Sequence, residues 1–185
     1  HLFHSNDSSQ TYMSNSDGVG STLTILRSPA FSTLGHASAT LSFWHQYDAL
    51  YDTDSINVEA SLNGTGGWTR LYVSKSSVGS YTAWTNTTVP LIAPFLNANT
   101  VYIRFRFVAK NAFWWAVDNV RVRGVDLPSP FTWAPTTGLF TDGPATIGYT
   151  GTALATVYAK PAVTTTYTAT ATGPNGCTKT AISTI

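Results

Sequence analysis

A single cysteine, Cys177, stands in the 185 residues, which excludes an internal disulfide and any zinc site built on several thiolates. Charge is almost as scarce. Charged side chains make up 10% of the chain and the formal net charge is +1, so no field draws the protein to a polyanion, and neither nucleic acid nor an anionic membrane surface is expected as a partner. No run of eighteen or more apolar residues occurs, so no membrane-inserted helix is expected. Glutamate is represented by Glu59 alone, and the four histidines, His1, His4, His36 and His45, lie in unrelated contexts. The chain has no G-x-S-x-G elbow, no H-E-x-x-H helix, no P-loop and no cysteine-histidine pair. A glycosidase needs two acids on one cleft; Asp48 with Glu59 is one arrangement in space, but nothing selects it. The chain reads as a non-enzyme.

What is abundant is aromatic: 13% of residues, with 6 Trp, 9 Tyr and 9 Phe, set among Ser, Thr, Asn and Gly. That bias favours strands and turns over helices. Alternation with period two runs from about residue 22 to residue 123. In ATLSFWHQYD, Leu41, Phe43, His45 and Tyr47 share one face while Ser42, Trp44, Gln46 and Asp48 share the other. DSINVEASLNG turns at Asn63-Gly64 and Gly66-Gly67 into WTRLYVS, a hairpin signature. Strands are expected near 10–13, 22–27, 39–47, 55–62, 68–73, 82–89, 100–109 and 114–123. Eight strands without intervening helices point to an all-β, jelly-roll β-sandwich over residues 1–124.

After Gly124 the texture changes. VDLPSPFTWAP carries three prolines, so residues 125–128 read as a linker. Residues 129–185 offer short Thr-rich strands and read as a small Ig-like β-sandwich, short enough for a strand to be missing or lent by a neighbouring domain. Trp133 and Cys177 fall where such folds place a core tryptophan and a late-strand cysteine. The final TKTAISTI still alternates, as though the chain were a piece of a longer polypeptide.

One strand poses a problem. In AFWWAVDNVRVRG, Trp114, Ala116, Val120 and Val122 alternate, and Asp118 falls on the same face. A carboxylate there must be hydrogen-bonded, paired, neutralised or metal-bound. Either it accepts N–H bonds from a neighbouring loop, or it joins a hard-oxygen site of six to eight ligands for calcium. The cluster Asp48, Asp52, Asp54 is a second acidic group, expected to form a solvated loop. Trp84, Trp114, Trp115 and Tyr51, with Trp44, exceed what one small core needs, and ring faces of this kind suit sugars as well as cations.

The stretches YMSNSDGVGSTLTILRSPAFSTLGHASATLSFWHQYD, DTDSINVEASLNGTGGWTRL and VYIRFRFVAKNAFWWAVDNVRVRG resemble the MAM-like or choice-of-anchor-J jelly-roll modules of large secreted Bacteroidetes proteins. The tail TTTYTATATGPNGCT resembles the Ig-like repeats of the same proteins, which use type IX secretion. The resemblance implies an extracellular or cell-surface module, non-catalytic, that adheres to a glycan or protein surface ligand beside neighbouring domains of the same polypeptide. It also implies a structural calcium ion where an early loop meets the last strand, with Asp118 and, in SNSDG, Asp17 as ligands; many relatives carry a second acid where this chain has Asn119. Ser55 in Asp54-Ser55-Ile56 matches the short O-glycosylation acceptor pattern of such proteins. Two other functional readings are a carbohydrate-binding module of a secreted hydrolase and a structural spacer or filament subunit whose open Ig-like edge takes a neighbour's strand.

Overall fold

The computed structural model describes residues 5–110, 112–126, 131–173 and 176–185. The chain divides into two compact units, His1–Val125 and Asp126–Ile185. The described residues hold strands and no helix, as their composition predicts.

In the first unit the alternating segments form β1 (Tyr12–Asn15), β2 (Thr22–Arg27), β3 (His36–Asp48), β4 (Ser55–Ser61), β5 (Thr69–Ser74), β6 (Thr85–Leu91), β7 (Tyr102–Ala109) and β8 (Trp114–Asp126). They make two four-stranded sheets, ordered β1-β8-β3-β6 and β2-β7-β4-β5. That interleaving of early and late strands is the strand order of an eight-stranded jelly roll. The β4–β5 hairpin turns where the glycines are. Gly64 has φ +72°, and a Cβ there would lie 3.0 Å from the Tyr102 ring, so the position takes glycine for conformation and for space.

The core is built by the faces the alternation assigns. Leu41, Phe43 and Tyr47 of one sheet meet Ile56, Val58, Ala60, Ile103, Phe105 and Phe107 of the other. Phe43 and Phe105 meet edge to face, centroids 5.1 Å apart at 83°, a geometry that contributes about 0.5–1.5 kcal/mol beyond area burial.

β8 departs from its expected phase. Trp115 and Val117 enter the core, while Trp114, Ala116 and Asp118 occupy the opposite, outer face. Asn119 adopts φ +50°, a left-handed residue within the strand. Beyond it Val120 and Val122 line a slot with Leu41 and Phe105, on the inter-sheet side. Asp118 is therefore not on the face of Val120 and Val122, as simple alternation across 114–122 requires; one residue at positive φ reverses the parity.

The second unit contains β9 (Phe131–Ala134), β10 (Leu139–Phe140), β11 (Tyr158–Ala159), β12 (Thr166–Thr172) and β13 (Thr178–Thr184). A three-stranded sheet, β13-β12-β9, accompanies the ribbon β10-β11. Its small core joins Leu139, Tyr149 and Tyr167 with the partly buried Trp133, whose indole N–H donates to the Leu154 carbonyl at 3.0 Å. Cys177 is exposed ahead of β13 and takes no place in that core. Every residue of β13 is exposed, and its outer edge has no strand partner among the described residues. Of the expected linker over 125–128, Val125 and Asp126 belong to β8, and Leu127 and Pro128 lie outside the described residues.

Candidate functional site

The outward residues of β3 share the outer face of their sheet with the outward residues of β8. Near the end of β3, Tyr47 exchanges two backbone hydrogen bonds with Val78, each 2.8 Å. This places the loop leading into β6 beside Gln46 and Asp48. The loop folds on itself through reciprocal bonds between Ser80 and Ala83, at 2.8 and 3.1 Å. From the other side, β1 pairs Asn15 with Trp114 and carries Asp17 past the end of the strand pair.

These four segments enclose a cleft of about 460 Å³ lined by Asp17, Gln46, Tyr47, Asp48, Gly79, Ser80, Tyr81, Phe113 and Trp114. Two carboxylates and three aromatic rings besides Tyr47 line it, and no lysine or arginine does. The backbone N–H of Asp17 donates to Asn15 Oδ1 at 2.7 Å, which shapes its turn, and Asp48 Oδ1 accepts from Ser77 Oγ at 3.2 Å. Gln46 is fully buried, yet neither its Nε2 nor its Oε1 has a hydrogen-bond partner; the buried Tyr47 hydroxyl has none either. Burial, with the charges of Asp54 and Asp48 nearby, pushes the Tyr47 hydroxyl pKa well up, so it stays protonated. A buried amide left unmade costs about 1–3 kcal/mol, and here the cost falls at the floor of a cleft.

The residues expected to bind separate. Trp114 is at the cleft. Trp115 is 1% exposed and belongs to the core, so it offers no ring to a ligand. Trp84 is half-buried beside the Ser80–Ala83 turn, and Tyr51 is half-exposed over a different recess, with Asp52, Thr53 and Lys110. Asp54 is fully buried and accepts from the Tyr51 and Lys110 backbone N–H groups at 3.1 and 2.7 Å. It is a loop staple, not part of a solvated acidic cluster. Ser55 opens β4, half-buried, with its hydroxyl accepting from Asn57 Nδ2 at 3.1 Å. Glu59 faces the outside of the other sheet, bound to Arg104 Nε at 2.6 Å, and does not meet Asp48.

The pairing of Asp17 with Asp118 does not form. The β1–β8 register sets Asp17 beyond one end of the pair and Asp118 past the other, about six residues of strand or roughly 20 Å apart. What Asp118 holds is the segment before β1. Its Oδ2 accepts the Asn6 N–H at 3.0 Å and its Oδ1 the Asn119 N–H at 2.7 Å. Asn119 Nδ2 in turn donates to Asp7 Oδ2 at 3.0 Å; hydrogen bonds from Ser9 and then Asn119 hold the Asp7 carboxyl below its usual pKa. Both Asp118 oxygens face N–H donors. A calcium cage needs oxygen ligands around a shared point, and no group of three His, Cys, Asp or Glu is assembled among the described residues.

No protein-family model and no curated protein matches the chain. Among solved structures it is similar to the K1 cleaved adhesin domain of Lys-gingipain from Porphyromonas gingivalis W83, with 25% identity, 60% of this chain and 72% of that one covered, and a TM-score of 0.44. The K3 cleaved adhesin domain of the same protein gives 27% identity, 54% and 63% coverage, and a TM-score of 0.40. TmCBM61 in complex with β-1,4-galactotriose gives 12% identity, 62% and 68% coverage, and a TM-score of 0.41. These TM-scores are low, and the jelly-roll assignment stands on strand order.

Proposed function

We propose that the chain is a non-catalytic, extracellular adhesion or ligand-binding module of a larger secreted or surface protein. Its first unit is of the MAM-like kind, and its ligand sits in the cleft over Gln46. The observation that carries this is the fully buried, unpartnered carboxamide at the base of a cleft walled by Trp114, Phe113 and Tyr81. Apolar walls with a few convergent polar groups are the general make-up of a ligand site. The neighbours named above, adhesin domains and a carbohydrate-binding module, are proteins of this kind.

The test is adsorption of the 185-residue chain to immobilised polysaccharides and extracellular-matrix proteins, with Trp114→Ala alongside. The variant is expected to weaken binding by about tenfold or more, with little change in melting temperature because the ring lies on the outer face. Unchanged binding would remove the cleft from the function. A second reading, a glycoside hydrolase, is favoured by one observation: Asp17 and Asp48 line the same cleft. Release of new reducing ends during the same incubation would select it.

For Asp118 we propose a hydrogen-bonded clasp that fixes the chain's early segment to β8 without metal. Asp118→Ala is expected to lower stability by about 1–3 kcal/mol. The wild-type melting temperature is expected to be equal in EDTA and in millimolar calcium; a rise of several degrees with calcium would overturn the metal-free clasp.

A further inference from the structure

We propose that the Gln46 cleft takes a neutral saccharide and rejects acidic sugars. This deepens the functional reading above and rests on it.

The argument is one of matching donors to acceptors. Gln46 presents a donor, Nε2, and an acceptor, Oε1, both buried and unpartnered. A lysine or arginine head group can pair with Asp17 and Asp48 but only donates, so it gains nothing from Nε2. A carboxylate or sulfate only accepts at its charged oxygens. It would leave Oε1 unmet and would face Asp17 and Asp48 with no lysine or arginine in the lining to offset them. A hydroxyl does both. Neighbouring ring hydroxyls of a sugar can answer the amide while donating to the two carboxylates, and the C–H face of the same ring packs on Trp114, Phe113 or Tyr81. The volume of about 460 Å³ lies in the range of small-ligand sites.

Gln46 is at the base, so contact with it requires a wall to yield. Tyr81, in the lining of the cleft, is 53% exposed, on the short turn closed by Ser80 and Ala83.

The experiment titrates the whole chain by calorimetry with four probes: a neutral β-linked galacto- or gluco-oligosaccharide, the uronate oligomer of the same linkage, oligolysine, and an uncharged peptide. The neutral oligosaccharide is expected to bind and the uronate to bind at least about tenfold more weakly, a difference readily resolved by titration. Gln46→Leu keeps volume and removes both hydrogen-bonding atoms. It is expected to weaken the neutral sugar by about tenfold or more with equal or higher melting temperature, since it also deletes an unsatisfied buried amide. The double variant Asp17→Asn, Asp48→Asn is expected to bring uronate affinity towards that of the neutral sugar. If uronate, oligolysine or peptide binds as well as the neutral sugar, or if Gln46→Leu leaves sugar binding intact, the saccharide assignment falls. Trp114→Ala then separates the two claims: loss of binding to whichever probe succeeds keeps the cleft as a ligand site. Failure of every probe, with surface adsorption indifferent to Trp114→Ala, removes both.

Discussion

Trp115→Ala is expected to cost about 3–5 kcal/mol, a large share of the stability of a domain this size. The ring is 1% exposed and packs 5.8 Å from Phe105 and 6.4 Å from His45, centroid to centroid. Its loss leaves a cavity between the sheets and also strands a polar atom, because the Trp115 indole N–H donates to His45 Nδ1 at 3.3 Å. Trp115→Phe, which refills part of the space but not the donor, is expected to cost less. Urea unfolding checks this: the midpoint should fall in the order wild type, Phe, Ala with similar slopes. A cost below about 1 kcal/mol for the alanine variant would mean that the residue is not the core anchor its burial indicates.

Acid is expected to destabilise the first unit well above the range in which carboxylates titrate. His45 is fully buried on the inner face of β3. An indole N–H can only donate, so His45 Nδ1 is the acceptor and Nε2 carries the proton, donating to Thr87 Oγ1 at 2.8 Å. The neutral tautomer is thus satisfied at both nitrogens, and burial lowers the pKa from 6.5 to about 4. The unfolded chain binds this proton first. Stability is therefore complete above about pH 6.5 and declines as pH falls through the window down to about 4, by about 3 kcal/mol if the full shift is realised. Chemical denaturation at pH 7 and pH 4.5 measures it, and His45→Gln, which keeps a donor and an acceptor without titrating there, should flatten the dependence. An equal slope in His45→Gln would assign the pH effect to other groups.

The eight strands of the first unit were legible because one face of each sheet is buried and the other is not, so period two is written into β3, β4 and β7. Leu41, Phe43, His45 and Tyr47 sit as that alternation places them. It failed at two kinds of place. Leu62 continues the pattern of β4 but already lies past the strand and is 43% exposed, because Asn63 begins the turn. In β8 the two tryptophans are adjacent, so one must face out, and parity counted back from Val120 selects the wrong one; Asn119 alone decides it, through a backbone torsion that the residue tolerates but does not announce. The cleft was less legible. Trp114 and Asp17 could be named as candidates, but for different roles. Gln46 reads as an ordinary outward polar residue, since its burial depends on a turn more than thirty positions away in the chain. The Asp17–Asp118 pairing misled because closeness of a loop to a strand says nothing about which end of the strand it meets.

The left-handed residue in β8 has a further effect, on how the strand can err. An ordinary strand that slides two residues against its neighbour keeps its faces, so such mispairings are only mildly penalised. β8 has no such freedom. Before Asn119 its inward residues are odd-numbered, Trp115 and Val117; after it they are even-numbered, Val120 and Val122. A two-residue slip carries the parity switch out of step with the facing sheet, so residues near the switch point the wrong way across the sandwich. The left-handed residue thereby serves as an indexing mark: it allows β8, the last strand of its unit to be made and an interior member of its sheet, to dock in one alignment.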